Sequence, residues 1–113
     1  MKNIKRGDIW VAALDPTIGS EIRKTRPAII VSNNVNNANS NVVSVIPITS
    51  NIEKVFAFEV FLSKGTGNLP KDSKAKTNQI RTIDKRRLAK FIGSLPAQYL
   101  EQVDIALRLH LDV

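Results

Sequence analysis

The 113-residue chain has no cysteine, a single histidine (His110), and aromatic side chains at only 5% of positions. The first absence removes disulfides, thiolate nucleophiles and cysteine-based zinc sites in one step. The second excludes any mechanism that needs two histidines from one chain, and leaves Ser-His-Asp catalysis only a residue near the end of the sequence. The third argues against a surface that stacks many bases on rings. Acidic residues are also scarce: 10 Asp+Glu face 17 Lys+Arg, for a net charge of +7. The acids are scattered, with no two separated by a single residue, so no carboxylate cluster for a metal ion is visible. There is no Walker A pattern and no glycine-rich dinucleotide loop. No apolar run approaches the roughly 18 residues of a spanning helix. The first residues lack the apolar stretch of a signal peptide, which makes a cytoplasmic protein the expectation.

What remains is a basic, core-forming chain. Hydrophobic residues make up 42%, enough for a single domain over residues 1–113. The positive surplus is an electrostatic signature for an anionic partner, nucleic acid ahead of membrane. It is concentrated. Residues 71–90 hold eight basic side chains (Lys71, Lys74, Lys76, Arg81, Lys85, Arg86, Arg87, Lys90) and two acids, Asp72 and Asp84. A second cluster is Arg23, Lys24 and Arg26. The larger window is the expected surface for an anionic partner, with part of it plain solvated helix.

Strands dominate the first three quarters. Asp8 to Leu14 ends at Asp15-Pro16. Pro27 to Ser32 carries a continuous Ala28-Ile29-Ile30-Val31 run, which suits a strand buried on both faces. Val42 to Thr49 repeats the type, with Pro47 marking an edge or bulge. Val55 to Leu62 alternates by period two, placing Phe56, Phe58, Val60 and Leu62 on one face. Thr77 to Ile83 reads as a fifth, more polar strand. Residues 33–41 contain six asparagines and read as turns. Residues 63–76, with Gly65, Gly67 and Pro70, read as a mobile loop. Asp84 is placed to N-cap a short turn over Lys85-Arg86-Arg87, and Phe91-Ile92-Gly93 reads as a return strand. From Pro96 onward, Leu100, Val103, Leu107 and Leu111 form a helical stripe. Short strands followed by one helix predict a mainly β fold with a C-terminal helix, a small twisted barrel.

Elimination leaves one target for a basic, histidine-poor protein. RNA carries its own nucleophile, the 2′-hydroxyl. A protein needs only to align that hydroxyl, relieve it of a proton and stabilise charge at the phosphate. Arginine suits the last task through its planar fork of donors.

Three ordered segments carry a resemblance. Arg6-Gly7-Asp8-Ile9-Trp10, then Asp15-Pro16-Thr17-Ile18-Gly19-Ser20-Glu21, then Lys24-Thr25-Arg26-Pro27-Ala28-Ile29-Ile30-Val31-Ser32 resemble the first block of the MazF/PemK family of toxin endoribonucleases. Asn78-Gln79-Ile80-Arg81-Thr82-Ile83-Asp84 resembles its second. The likeness runs from about Arg6 to the terminal helix. It implies an SH3-like β-barrel with a C-terminal helix, a homodimer, and the toxin of a type II toxin–antitoxin system. It implies metal-independent, sequence-specific cleavage of single-stranded RNA by 2′-hydroxyl attack, without a cofactor. It also implies a cognate antitoxin whose acidic, flexible C-terminal segment covers the RNA groove.

Carried over residue by residue, the resemblance places Arg26 at the scissile phosphate. Arginine almost never gives up its proton, so its part is chiefly electrostatic. Thr49 corresponds to the family's threonine at the end of the third strand, positioned for a phosphate oxygen or the attacking group. Glu21 is the only carboxylate at the end of the Gly-Ser-Glu motif and is the candidate acceptor of the 2′-hydroxyl proton. Ser20, Ser50 and Gln79 are RNA contacts by position, and Arg23, Lys24, Thr25 and Arg81 join them as RNA-binding candidates. Where many relatives follow Gly-Ser-Glu with Gln and small residues, this chain has Ile22-Arg23-Lys24-Thr25, which adds two charges and bears on base preference. Two other readings compete: a non-catalytic RNA-binding barrel, and a gyrase-binding toxin of the CcdB type. Neither needs Arg26, Thr49 and Glu21 together.

Overall fold

The computed structural model describes residues 3–113; Met1 and Lys2 of the expected domain lie outside the described residues. Seven strands run in the order β1 (Asp8–Ala13), β2 (Thr25–Ile30), β3 (Val42–Thr49), β4 (Val60–Leu62), β5 (Ser73–Ala75), β6 (Arg81–Asp84) and β7 (Leu88–Ser94). Two helices complete the chain, α1 (Asn34–Asn39) and α2 (Ala97–Leu111). Every ladder is antiparallel, and the strands lie in the order β4-β5-β3-β2-β1-β7. β3 serves three partners, β2 along one edge and two strands along the other. Its first half, Val42 to Val45, pairs β6, while Ile48 and Thr49 pair β5. The sheet wraps in the manner of a small barrel without closing, as the family resemblance led one to expect apart from that gap.

Burial on both faces of the central strands explains the bend. Ile9, Ile29, Ile46, Ile48 and Leu62 pack in one core with Val103 and Ala106 of α2. Trp10, Ala12, Ala28, Ile30, Val43 and Val45 alternate with them into a second core with Ile83 and Leu88. This period-two division of the apolar run in β2 is what the sequence implied. Each fully buried isoleucine contributes roughly 1.5–3 kcal/mol. Trp10 belongs to the second core, edge-on to Phe91 with ring centroids 5.7 Å apart. On α2, Val103 and Ala106 are buried and Leu100 and Leu107 half-buried, whereas Leu111 is exposed, so the stripe ends one turn earlier than its spacing predicts. No helix among the described residues is long and apolar enough to cross a membrane.

Four segments depart from the expected elements, each for a local reason. The asparagine run forms α1 rather than turns alone: Asn33 caps it, its side chain accepting from Asn36 N at 2.8 Å. Asn37 then ties the helix to Ser32 through a 2.8 Å bond to the Ser32 carbonyl. The strand expected from Val55 is confined to Val60–Leu62, because a turn over residues 56–59 is closed from both sides. Glu59 N donates to Phe56 O at 2.9 Å, and the Glu59 carboxylate accepts from Phe56 N at 2.9 Å. The expected strand over Thr77–Ile83 begins as a 3-10 turn at Thr77–Gln79 and becomes extended only at Arg81. The glycine-bearing 63–76 segment contains strand β5, inserted between β3 and β4. Asp84 does cap the Lys85–Arg87 turn, accepting from Arg86 N at 2.8 Å.

Two glycines let backbone cross backbone. A Cβ on Gly93 of β7 would stand 2.5 Å from the Gly67 carbonyl oxygen, and one on Gly67 (φ +53°) would stand 2.5 Å from Ile9 Cδ1. Gly93→Ala is therefore expected to destabilise the fold by about 1–3 kcal/mol. A thermal melt checks it; an unchanged melting temperature would show that the crossing relaxes freely.

Candidate active site

The β2–β3 ladder pairs Ala28 with Pro47. Past that pair, β2 runs back to Arg26 and β3 runs on to Thr49, so the two residues lie at the same end of the antiparallel strands. The two side chains that sequence alone places 23 positions apart thus share one end of a strand pair. Arg26 is half-buried. Its Nε donates to the Arg23 carbonyl at 2.8 Å. This bond folds the guanidinium over the loop and leaves its two terminal amino groups, the bidentate face of the fork, for a phosphate. The Thr49 hydroxyl accepts from Asn51 N at 3.2 Å, so its proton is free to donate.

Clefts flank the pair. One, of about 290 Å³, is lined by Arg26, Pro27, Ile48, Ser50, Pro70, Lys71 and Ser73. Another, of about 200 Å³, is lined by Ile22, Thr49, Asn51, Lys74 and Lys76. The groove is basic on both sides of Thr49, the charge needed to draw in a polyanion.

The loop between β1 and β2 carries the remaining motif residues. Leu14 N donates to the Lys24 carbonyl at 3.2 Å to close it, with Lys24 in the left-handed region at φ +73°. Ser20, Glu21, Arg23, Lys24 and Thr25 are all exposed. Glu21 turns inward on its own loop, Oε1 accepting from Ile18 N at 2.8 Å. No ion pair joins it to Arg23 or Lys24 among the described residues. In this arrangement Glu21 has one carboxylate oxygen committed and one open.

Three side chains from distant segments fix that loop. Gln79 spans it at Glu21: its Oε1 accepts from Ile22 N and its Nε2 donates to Ser20 O, both at 3.3 Å. Arg81 Nη1 donates to Leu14 O at 3.1 Å. Arg87 Nη1 donates to Ala13 O at 3.1 Å and also to the Asp15 carbonyl. Gln79 and Arg81, expected as RNA contacts, spend donors on the loop backbone. The basic window at 71–90 is accordingly largely structural. Lys85 Nζ donates to Asn37 O at 2.5 Å, and Arg86 pairs with Asp84 at 3.0 Å. Lys71 lines the Arg26 cleft.

The residues sequence reasoning missed are Glu59, Lys74 and Lys76. The Glu59 side chain is fully buried, and its oxygens lie 3.1 Å from Lys74 Nζ and 3.0 Å from Lys76 Nζ. The period-two spacing of the two lysines, and a lone acid inside the apolar Val55–Leu62 segment, were the available signal. Burial pushes the Glu59 carboxyl up. The Phe56 backbone N–H and the ammonium groups of Lys76 and Lys74 outweigh burial and hold it below its ordinary 4.5.

With this geometry in view, the molecule is a small, mainly β protein carrying a basic groove, an arginine and a threonine on paired strand ends, and an acid-bearing loop beside them. It belongs to the family described as the PemK-like, MazF-like toxin of type II toxin–antitoxin systems, whose model matches residues 5–111. It is 47% identical over 115 residues to endoribonuclease MazF9 of Mycobacterium tuberculosis (strain ATCC 25618 / H37Rv), covering 97% of this chain and 98% of that one. Its fold matches MazF from Deinococcus radiodurans with a TM-score of 0.88 at 24% identity, over the full length of both. It also matches an endoribonuclease in complex with its cognate antitoxin from a mycobacterial species. There the TM-score is 0.81 at 20% identity, over 97% of this chain and 96% of that one.

A carboxyl held below 4.5 stabilises the fold above that pH, and the contribution is lost as pH falls through the lowered folded value. Glu59→Gln is expected to cost about 3 kcal/mol at neutral pH. Paired melts of the two proteins should show the gap narrowing below pH 4.5; a gap independent of pH would contradict the ion cluster.

Proposed function

We propose that the protein is the RNA-cleaving toxin of a type II toxin–antitoxin system, an endoribonuclease that cuts single-stranded RNA by attack of the substrate's own 2′-hydroxyl. The observation that carries this reading is the placement of Arg26 and Thr49 at one end of the β2–β3 ladder, each lining a basic cleft, in a chain 47% identical to a named endoribonuclease. In the proposed reaction the scissile phosphate sits against the free terminal amino groups of Arg26. The Thr49 proton donates to a phosphate oxygen. As the 2′-oxygen bonds to phosphorus, negative charge grows on the non-bridging oxygens, and these two donors stabilise it. The open oxygen of Glu21 takes the 2′-hydroxyl proton. The bond to the 5′-oxygen then breaks and that oxygen takes a proton from solvent water, leaving a cyclic phosphate on one fragment and a 5′-hydroxyl on the other. None of these steps draws on a cofactor.

Ser20, Arg23, Lys24, Thr25 and Ser50 stand exposed around the groove and hold the flanking RNA in this reading. Gln79 and Arg81 contribute by fixing the loop that carries Glu21. The protein acts as a homodimer, supported by apolar side chains left exposed on α2, Ile105 and Leu109 among them. The cognate antitoxin competes with RNA for the groove through acidic side chains, which the basic lining favours. The work is done in the cytoplasm, where messenger RNA is the substrate.

Incubation with mixed-sequence single-stranded RNA in EDTA should give defined fragments with 5′-hydroxyl ends. Arg26→Ala should slow cleavage at least about 100-fold and leave the thermal melt unchanged. A requirement for added Mg²⁺, or wild-type turnover by the variant, would overturn the mechanism. RNA bound tightly but left intact would instead identify a non-catalytic binding protein.

A further inference from the structure

The chain has four phenylalanines, and one of them, Phe56, lines a cleft beside the groove. Phe56 and Phe58 stack with centroids 5.2 Å apart and planes 5° from parallel. Phe56 is 40% exposed. The Lys54 ammonium lies 4.5 Å from its ring centroid and the Lys74 ammonium 6.0 Å. The space in front of the ring is a cleft of about 470 Å³ lined by Asn51, Glu53, Lys54, Phe56 and Lys74. It shares Asn51 and Lys74 with the cleft at Thr49, so the two adjoin.

The exposed ring is held in place. Glu59 receives Phe56 N at 2.9 Å and, with the same oxygen, Lys74 Nζ at 3.1 Å. Lys74 Nζ also donates to the Lys54 carbonyl. One buried carboxylate therefore sets the backbone under Phe56 and, through Lys74, the segment that carries Lys54. An exposed ring on a fixed backbone, with cations over it and a basic groove beside it, is an arrangement that binds single-stranded nucleic acid by stacking. A protein side chain would gain little from two ammonium groups so close to the ring.

We infer that this cleft is a nucleobase subsite, in which one unpaired RNA base near the scissile phosphate stacks on Phe56. The inference rests on the proposed RNA cleavage. The base takes the position of the Lys54 ammonium over the ring, and the displaced ammonium pairs with an adjoining phosphate. Asn51 uses Oδ1 to accept from Glu53 N at 3.3 Å, which leaves its amide N–H groups for the base edge. The Glu53 carboxylate offers only acceptors, so the two residues read complementary groups. Stacking supplies affinity with little regard to base identity, and Asn51 and Glu53 supply the preference.

The test uses the labelled single-stranded RNA that the wild-type protein cuts, with the 2′-oxygen at the cut methylated so that it stays whole. A parallel series replaces one nucleotide at a time near the cut by an abasic one. The wild type should lose roughly tenfold in affinity at one position. Phe56→Ala should bind the intact RNA roughly tenfold more weakly and be indifferent to the abasic change at that same position. Phe56→Trp should restore both. Phe56→Leu, which keeps an apolar side chain beside Phe58 but no ring, should behave like Phe56→Ala and separates stacking from a folding defect. If Phe56→Ala and Phe56→Leu bind and cut as the wild type does, the subsite is wrong while the ribonuclease reading stands. If the wild-type protein neither binds nor cuts RNA, both fall together.

Discussion

Strands β2 and β3 meet with Ala28 opposite Pro47, Ile29 opposite Ile46 and Ile30 opposite Val45. Both strands are covered on both faces, by α2 and its core on one side and by Trp10, Val43 and Ile83 on the other. A slip of one residue would exchange the contents of two differently shaped cores, so the register is strongly specified. That ladder also brings Arg26 and Thr49 to the same end of the two strands. The interaction that makes the fold unique and the one that assembles the site are the same ladder, read at its middle and at its end.

Around this ladder the charged residues divide by task. Arg81, Arg87 and Gln79 hold the loop of Glu21 by its backbone, from positions 57 or more residues away in sequence. Glu59 holds Lys74 and Lys76 beside Thr49. A buried carboxylate with two ammonium partners adds little net stability against an apolar alternative. It does fix where positive charge stands, and a groove for a polyanion needs its cations in place before the substrate arrives. The net charge of +7 is thus part framework and part binding surface.

The central strands were legible in the sequence because their physics is local and repetitive. The Ala28-Ile29-Ile30-Val31 run can be satisfied only between two cores. Asp84 and the turn it caps were legible for the same reason. The asparagine run was not: asparagine favours turns, and α1 rests on the Asn33 cap, on Asn37 reaching Ser32 and on Lys85 reaching Asn37. The Val55–Leu62 pattern misled because its alternation is real, but Glu59 bends the backbone before the strand can start. At the site, the ordered motif and the resemblance named Arg26, Thr49 and Glu21 as candidates. The roles of Gln79 and Arg81 as loop holders, and the existence of the Glu59 cluster, depend on long-range contacts that no sequence period encodes.

The proposed mechanism depends on the substrate's 2′-hydroxyl as the nucleophile. The direct measurement replaces the single nucleotide 5′ of the cut with its 2′-deoxy form and follows both cleavage and affinity. The expected result is that cleavage at that bond disappears while affinity stays within about twofold, since phosphate contacts dominate binding. Continued cleavage at the deoxy position would mean that water or a protein group attacks the phosphate, and the roles given to Arg26, Thr49 and Glu21 would have to be redrawn.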